Sequence, residues 1–411
     1  MKRAMVLAAL CICLISAPRG FSQDLPAVYQ ALSSFFYPDQ YAGLTTFRSL
    51  LIPMGGLAEG MGQAYTAGCR DSSYFESNPA ASSLLAQTEL SVYHNNWIAD
   101  TKIEGAVYTI RFKNFGLGIY GKWLYLDFPQ YNEYGDATGN GYYSEAVAGI
   151  NVSYNLFAGY NFTGLALGAT IKGAYRVVPS TIDEYVGNSA AAIMGDFGTM
   201  LRFNFLKFYS SRSKNCSLGL AIKNLGPPVL DDPLPTVASC GLSYSPVRPL
   251  SLSFDVSKPV NLVNPDQSEG WIWAVGVEGN LTDFFRLYGG FLLKGGNPRL
   301  SIGTSFDVDL IRLSVNYTLD LTTQLTPFNR ISVEASFSLG DLGRADLAKK
   351  VDNLYVTGLD AYARGDMAAA AAAWTEALKI DPRFDPARES LNALKGMQDL
   401  LNSINELQTL H

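Results

Sequence analysis

From Glu89 to Leu339 the chain alternates apolar and polar positions with a period of two. Leu300, Ile302, Thr304, Phe306 and Val308 fall on one face, and Arg299, Ser301, Gly303, Ser305 and Asp307 on the other. The pattern repeats from Ile311 to Asp320 and from Arg330 to Leu339, and earlier around Ala148–Tyr154, Leu165–Arg176 and Leu250–Val256. Segments of about ten residues with one apolar face have the length and pattern of membrane-crossing strands. About fourteen are expected, starting near Leu90, Ile103, Phe115, Ala146, Leu165, Ala191, Cys216, Ala238, Leu250, Ile272, Phe285, Leu300, Ile311 and Ile331. Asp127–Tyr143, Pro179–Ser189 and Val260–Gly270 read as long extracellular loops, Lys113-Asn114 and Asn297-Pro298 as tight turns. Alternation alone fits a soluble sandwich equally well. Strand length, aromatics near segment ends and the N-terminal address described below favour a barrel. Trp97, Trp123, Tyr125, Tyr154, Phe157, Tyr175, Trp271, Trp273, Phe284 and Phe285 are the candidate interfacial girdles.

The flanks lack this period. Met1-Lys2-Arg3, an apolar run from Ala4 to Ile15 and small residues up to Ser22 have the order of a secretory signal peptide, expected over residues 1–22. Residues 23–87 are rich in Gly, Ala and Ser and precede the first strand. A barrel of this size has a lumen that such a segment would plug. After the barrel, residues 88–340, a break at Gly340, Asp341 and Gly343 leads into an Ala-rich helical tail, 341–411. Val351–Pro382 fits one tetratricopeptide repeat, with Gly358, Tyr362, Gly365-Asp366, Ala370, Trp374, Ala377 and Pro382 at the motif positions. Arg383–Leu410 supplies a further helix or two short ones.

Composition narrows the function. Charged residues make up 17% of the chain and apolar ones 48%, unlike an ordinary soluble enzyme. No apolar run outside the N-terminus reaches the length of a spanning helix. The net charge of −6, about −9 once Lys2, Arg3 and Arg19 leave with the signal, argues against a nucleic-acid partner. Cys69, Cys216 and Cys240 allow at most one bridge. No cofactor is expected, no metal site, and no catalysis: the histidines are His94 and His411 alone. Gly116-Leu-Gly118-Ile-Tyr-Gly121-Lys122 mimics dinucleotide and phosphate-binding loops but lies inside a predicted strand, where those motifs need a strand-to-helix turn.

One constellation stands out: Gly60-Met61-Gly62-Gln63-Ala64-Tyr65-Thr66-Ala67, then Asp71, then Asn78-Pro79-Ala80-Ala81. Such a stretch just before the first strand resembles the FadL-like outer-membrane proteins, which include the long-chain fatty-acid transporters. With its helical tail, the chain is similar to uncharacterised FadL-like proteins of spirochaetes. The resemblance spans about Gly55 to Leu339 and implies fourteen strands, with a hatch holding Gly60, Gly62, Ala64, Tyr65, Asn78, Pro79 and Ala80. It also implies passage of fatty acids or other hydrophobic ligands. The wall of fatty-acid transporters opens sideways at a kinked third strand; Phe115–Leu126 carries no Pro or Asn-Pro break. A carboxylate headgroup would need a basic lumen partner, and Lys172, Arg176, Arg299, Arg312 and Arg330 lie on polar faces. The alternative is a barrel-anchored scaffold whose repeat-like end docks a periplasmic protein.

Overall fold

In this chain the exposed face of the sheet is the apolar one. The computed structural model describes residues 36, 39–160, 162–178, 188–209, 211, 213–322 and 329–409; the expected signal peptide and nearly all of the expected loop Pro179–Ser189 lie outside them. Ile171 and Ile193 are 71% and 72% exposed, whereas Ser91, Asn151, Ser332 and Glu334 are wholly buried. A sandwich would bury the first set and solvate the second. A closed sheet in lipid, with its own contents inside, does the opposite.

Fourteen antiparallel strands close that sheet: β1 Glu89–Asn96, β2 Lys102–Phe112, β3 Phe115–Tyr131, β4 Ala137–Leu156, β5 Leu165–Val177, β6 Ala190–Phe203 and β7 Cys216–Leu225 form one half. The other half is β8 Thr236–Val247, β9 Leu250–Val260, β10 Ile272–Asn280, β11 Phe285–Lys294, β12 Asn297–Val308, β13 Ile311–Asp320 and β14 Arg330–Ser338. Each pairs with its sequence neighbours, and β1 closes on β14 with Val92 opposite Ala335. β1 begins and β14 ends at one end of the barrel, called proximal here.

Three expectations are corrected. Asp127–Tyr143 is mostly strand: β3 and β4 pair continuously up to Gln130 opposite Gly139, leaving a short turn at 132–136. Alternation there continues through polar and aromatic residues that carry no strand-breaking signal in sequence. The tight turn at Asn297-Pro298 lies at Gly295-Gly296, whose φ values of 59° and 79° suit glycine. Pro298 instead pairs with Leu293. Trp97 packs inward against the lumen core and is no girdle residue. The other expectations for aromatics stand as two outward bands, with Phe115 opposite Tyr154 proximally and Trp123 stacked on Tyr125 distally. Phe115 and Trp123 are eight residues apart, roughly 26 Å along a tilted strand, comparable to the apolar band of such barrels.

Three helices follow β14: α2 Arg344–Ala363, α3 Met367–Ile380 and a single long α4 Asp385–Thr409, after the short α1 Gly56–Gly60 inside the barrel. None is long and apolar enough to cross a membrane. Gly358 lets α2 approach the Trp374 indole of α3, which donates to the Tyr355 carbonyl at 3.2 Å. Gly365 turns the chain at φ 83°, and the Asp366 side chain caps α3 by accepting from Ala369 N at 2.9 Å. Val351, Ala361, Ala370, Trp374, Ala377 and Phe384 form the core of this unit. It rests on the proximal rim through Arg344 on Ala86, Arg383 on Ala158, and an edge-to-face contact of Phe384 with Tyr160.

Candidate functional site: the hatch and its seat

The hatch has little regular structure, so its backbone must be satisfied by the wall. It enters distally. Asp39 N donates to Gly295 O, and Thr46 N to Pro233 O, each at 3.0 Å. It then threads the lumen to Thr88, which bonds Gly340 at the proximal end. Inward-facing carboxylates receive its amides along the way. Asp255 accepts from Tyr65 N and Thr66 N at 3.0 and 2.7 Å, Glu89 from Ser72 N at 3.0 Å, and Glu145 from Ser49 N at 3.3 Å.

The sequence constellation makes the central fold of the hatch. Asp71 caps a 3₁₀ turn by accepting from Ser73 N at 3.1 Å, and the Tyr65 hydroxyl donates to it at 3.0 Å. Asn78 caps a second 3₁₀ turn through Ala80 N, with Pro79 in the first position. Its amide nitrogen donates to Thr66 O at 2.9 Å and to Thr199 O of β6 at 3.0 Å. One side chain thus ties two hatch segments to the wall. Ala64 packs against Ile272, Ala274 and Leu292.

The wall meets this segment with glycines. A Cβ at Gly116 would overlap the Ser82–Ser83 backbone, at Gly168 the Pro79 carbonyl, and at Gly290 the backbone of Met61 and Gly62. Glycine inside a strand marks close backbone approach. That is why Gly116 and Gly118 mimic a nucleotide loop: they seat the hatch, Gly118 against the rings of Tyr74 and Phe75. Gly60 reciprocates from the hatch side, under Tyr288 and Asn316.

The basic candidates do not converge. Lys172 pairs with Asp196 at 2.7 Å, and Arg330 with Glu59 of the hatch at 2.8 Å. Arg312 pairs with Asp307 at 2.7 Å near the proximal turn. Arg176 donates to Thr46 Oγ1 at 2.8 Å and lies over the Phe47 ring, so it also holds the hatch. Arg299 stands opposite Asp320. Of these candidates only Lys172 reaches a cavity of about 80 Å³ between hatch and wall, room for a few waters. Lys122, Lys223 and Lys294 line it, together with Glu76, Leu50 and Phe75. Lys122 pairs with Glu76 at 2.8 Å, and Lys223 donates to the Glu76 carbonyl at 2.7 Å. Sequence reasoning passed over these three lysines. Lys122 sat within the glycine motif, and a lysine's neighbours across a barrel are invisible until register is known. His94 faces outward, with Nδ1 2.8 Å from Glu104 of β2.

The class of protein is therefore a plugged, membrane-spanning β-barrel of the outer-membrane type. Residues 25–341 match the uncharacterised protein family UPF0164, and the chain belongs to that family. A UPF0164 protein of Treponema pallidum (strain Nichols) is 27% identical over 86% of this chain and 83% of its own length. A second from the same organism is 24% identical over 89% and 78%. Among solved structures, the Ralstonia pickettii toluene transporter TbuX aligns with a TM-score of 0.47 at 13% identity, covering 70% of this chain and 98% of its own. A Pseudomonas aeruginosa FadL homologue aligns at 0.42 and 11%, covering 68% and 97%.

Proposed function

We propose that the protein carries long-chain fatty acids or similar hydrophobic molecules across the outer membrane, with the distal end outside and α2–α4 in the periplasm. The observation that carries this reading is the fit between hatch and wall. The lumen is filled by an N-terminal segment held by hydrogen bonds, ion pairs and a glycine seat, with its Cys69 free rather than bridged to the wall. Such a plug closes the barrel to water and yields to a ligand that binds its displaced form better. The cavity beside Lys122, Lys223 and Lys294 is where a ligand starts to open the interface. It has apolar walls for a tail and ammonium groups for a carboxylate. At about 80 Å³ it must enlarge to hold a long chain, so passage requires the hatch to shift. Arg330 and Arg176 then act as holders of the closed state, Lys172 is a further ammonium at the cavity, and Arg299 and Arg312 remain basic groups along the route.

The test is saturable binding of a fluorescent long-chain fatty acid to the purified full chain in non-ionic detergent, with unlabelled fatty acid as competitor. Binding displaced by competitor, kept when residues 344–411 are deleted and weakened about tenfold by Lys223→Gln with Lys294→Gln, is the expected result. Partitioning equal to that of an unrelated barrel would remove the reading.

A further inference from the structure

Between the proximal rim and the helical unit lies a chamber of about 1050 Å³, separate from the lumen cavity. Its charge is lopsided. Six arginines line it: Arg70, Arg111, Arg202, Arg248, Arg344 and Arg383. Lys113 and Lys214 join them, against Asp352 and Asp381 as the only carboxylates among the described lining residues. Eight cations against two anions leave a formal +6 in a chain whose overall charge is −6.

Four of the arginines rest on neutral acceptors. Arg70 is paired with Glu278. Arg111 instead donates to the carbonyls of Lys113 and Leu85, and Arg202 to that of Cys69. Arg344 donates to the carbonyls of Asp341 and Ala86, and its Nη1 is buried without a partner. Arg383 donates to the Ala158 carbonyl and the Asn114 side chain. Carbonyls orient a guanidinium without cancelling its charge, and Arg111 feels Arg202, Arg344 and Arg383 as like charges. Holding four guanidiniums round one space costs repulsion that an anion would relieve. The wall contributed by α2 and the α3–α4 junction is of the other kind, with Leu347, Val351, Ile380 and Phe384. Leu347 is 53% exposed.

We infer that this chamber binds a single-chain anionic amphiphile, its carboxylate or phosphate headgroup on the arginines of the rim and its tail along the helices. The inference takes its ligand class from the transport reading, and makes the chamber the place where cargo rests after passing the hatch. Its volume suits a ligand of that size, and the arginine fork suits a planar or tetrahedral oxyanion. The helical unit would then be one wall of a binding site.

The experiment uses the full chain in non-ionic detergent and four probes: decanoate, decyl phosphate, inorganic phosphate and decanol. Decanoate or decyl phosphate should bind saturably and more weakly as salt rises, and the tighter of the two names the headgroup. Arg202→Gln with Arg344→Gln should weaken binding at least tenfold, and the corresponding lysine variants should restore much of it. A heat-modifiable band on gels checks that the barrel of each variant is closed. Decanol binding as well as the anions, inorganic phosphate competing as well as decyl phosphate, or glutamine variants binding like the parent would each overturn the proposal. Loss of chamber binding with the lumen's fatty-acid binding intact indicts the chamber alone. The converse indicts the transport reading alone.

Discussion

The hatch and the helical unit are both short segments appended to one barrel, and they reach order by opposite routes. The helical unit satisfies its own backbone within α2–α4 and closes its own core around Trp374 and Ala370. The hatch has little repetitive structure. Its amides end on Asp255, Glu89 and Glu145 of the wall, and its turns rest on wall glycines. Buried backbone must find partners, and a segment that finds them in another element is only as ordered as that element allows. The difference predicts that the hatch can be released from an intact barrel, whereas the helical unit keeps its fold wherever it sits.

The largest effect should come from blocking the seat. Gly290→Val places a branched side chain where the Met61–Gly62 backbone lies. Neither side can give, because both are main chain. The hatch should unseat while the barrel persists. Single-channel recording in planar bilayers should then show open steps absent from the parent, and protease should cut within residues 55–85. A variant as closed and as protected as the parent would show that the glycines are not the seat.

A smaller effect should follow from removing one holder. Arg330 and Glu59 are both buried and 2.8 Å apart, and Thr318 is the other partner of Glu59, at 3.1 Å. Arg330→Leu leaves Glu59 buried without its counter-ion, which costs about 3–5 kcal/mol. The hatch should become protease-sensitive at a denaturant concentration where the parent resists. Adding Glu59→Gln should recover part of the loss, because the stranded charge is then gone. If the double variant is no better than the single one, the pair does not act as a clamp between hatch and wall.

What could be read without coordinates follows the same division. Period two along residues 89–339 located all fourteen strands, because every strand in a lipid-facing barrel shows the same two environments. Asn78-Pro79 and Gly60–Gly62 carry local turn chemistry that marks a compact irregular segment, and only the family resemblance made that segment a hatch. What was not legible depends on register. Lys122, Lys223 and Lys294 lie on β3, β7 and β11, and only closure of the barrel brings them to one cavity. The inward turn of Trp97 and the seating role of Gly168 are likewise products of the hatch's path. In the helical unit Gly358 packs under Trp374 and Gly365 turns the chain, both local events within one helical hairpin. The length of α4 as one helix was open: Pro386 fits its first turn, but Gly396 in its interior could as well have divided it.

The smallest effect tests the self-sufficiency of the helical unit. Asp366 caps α3 with one hydrogen bond to Ala369 N, and both lie on the surface. Asp366→Ala should cost about 1 kcal/mol, the usual value of an N-cap. Because the unit carries its own core, that loss should appear as a lower midpoint of the helical phase in far-UV circular dichroism. The barrel transition and the protease resistance of the hatch should stay unchanged. A shift of both transitions together would mean that the contacts of Arg344, Arg383 and Phe384 with the rim bind barrel and helices into one cooperative block. The contrast between a dependent hatch and an independent helical unit would then hold for the hatch alone.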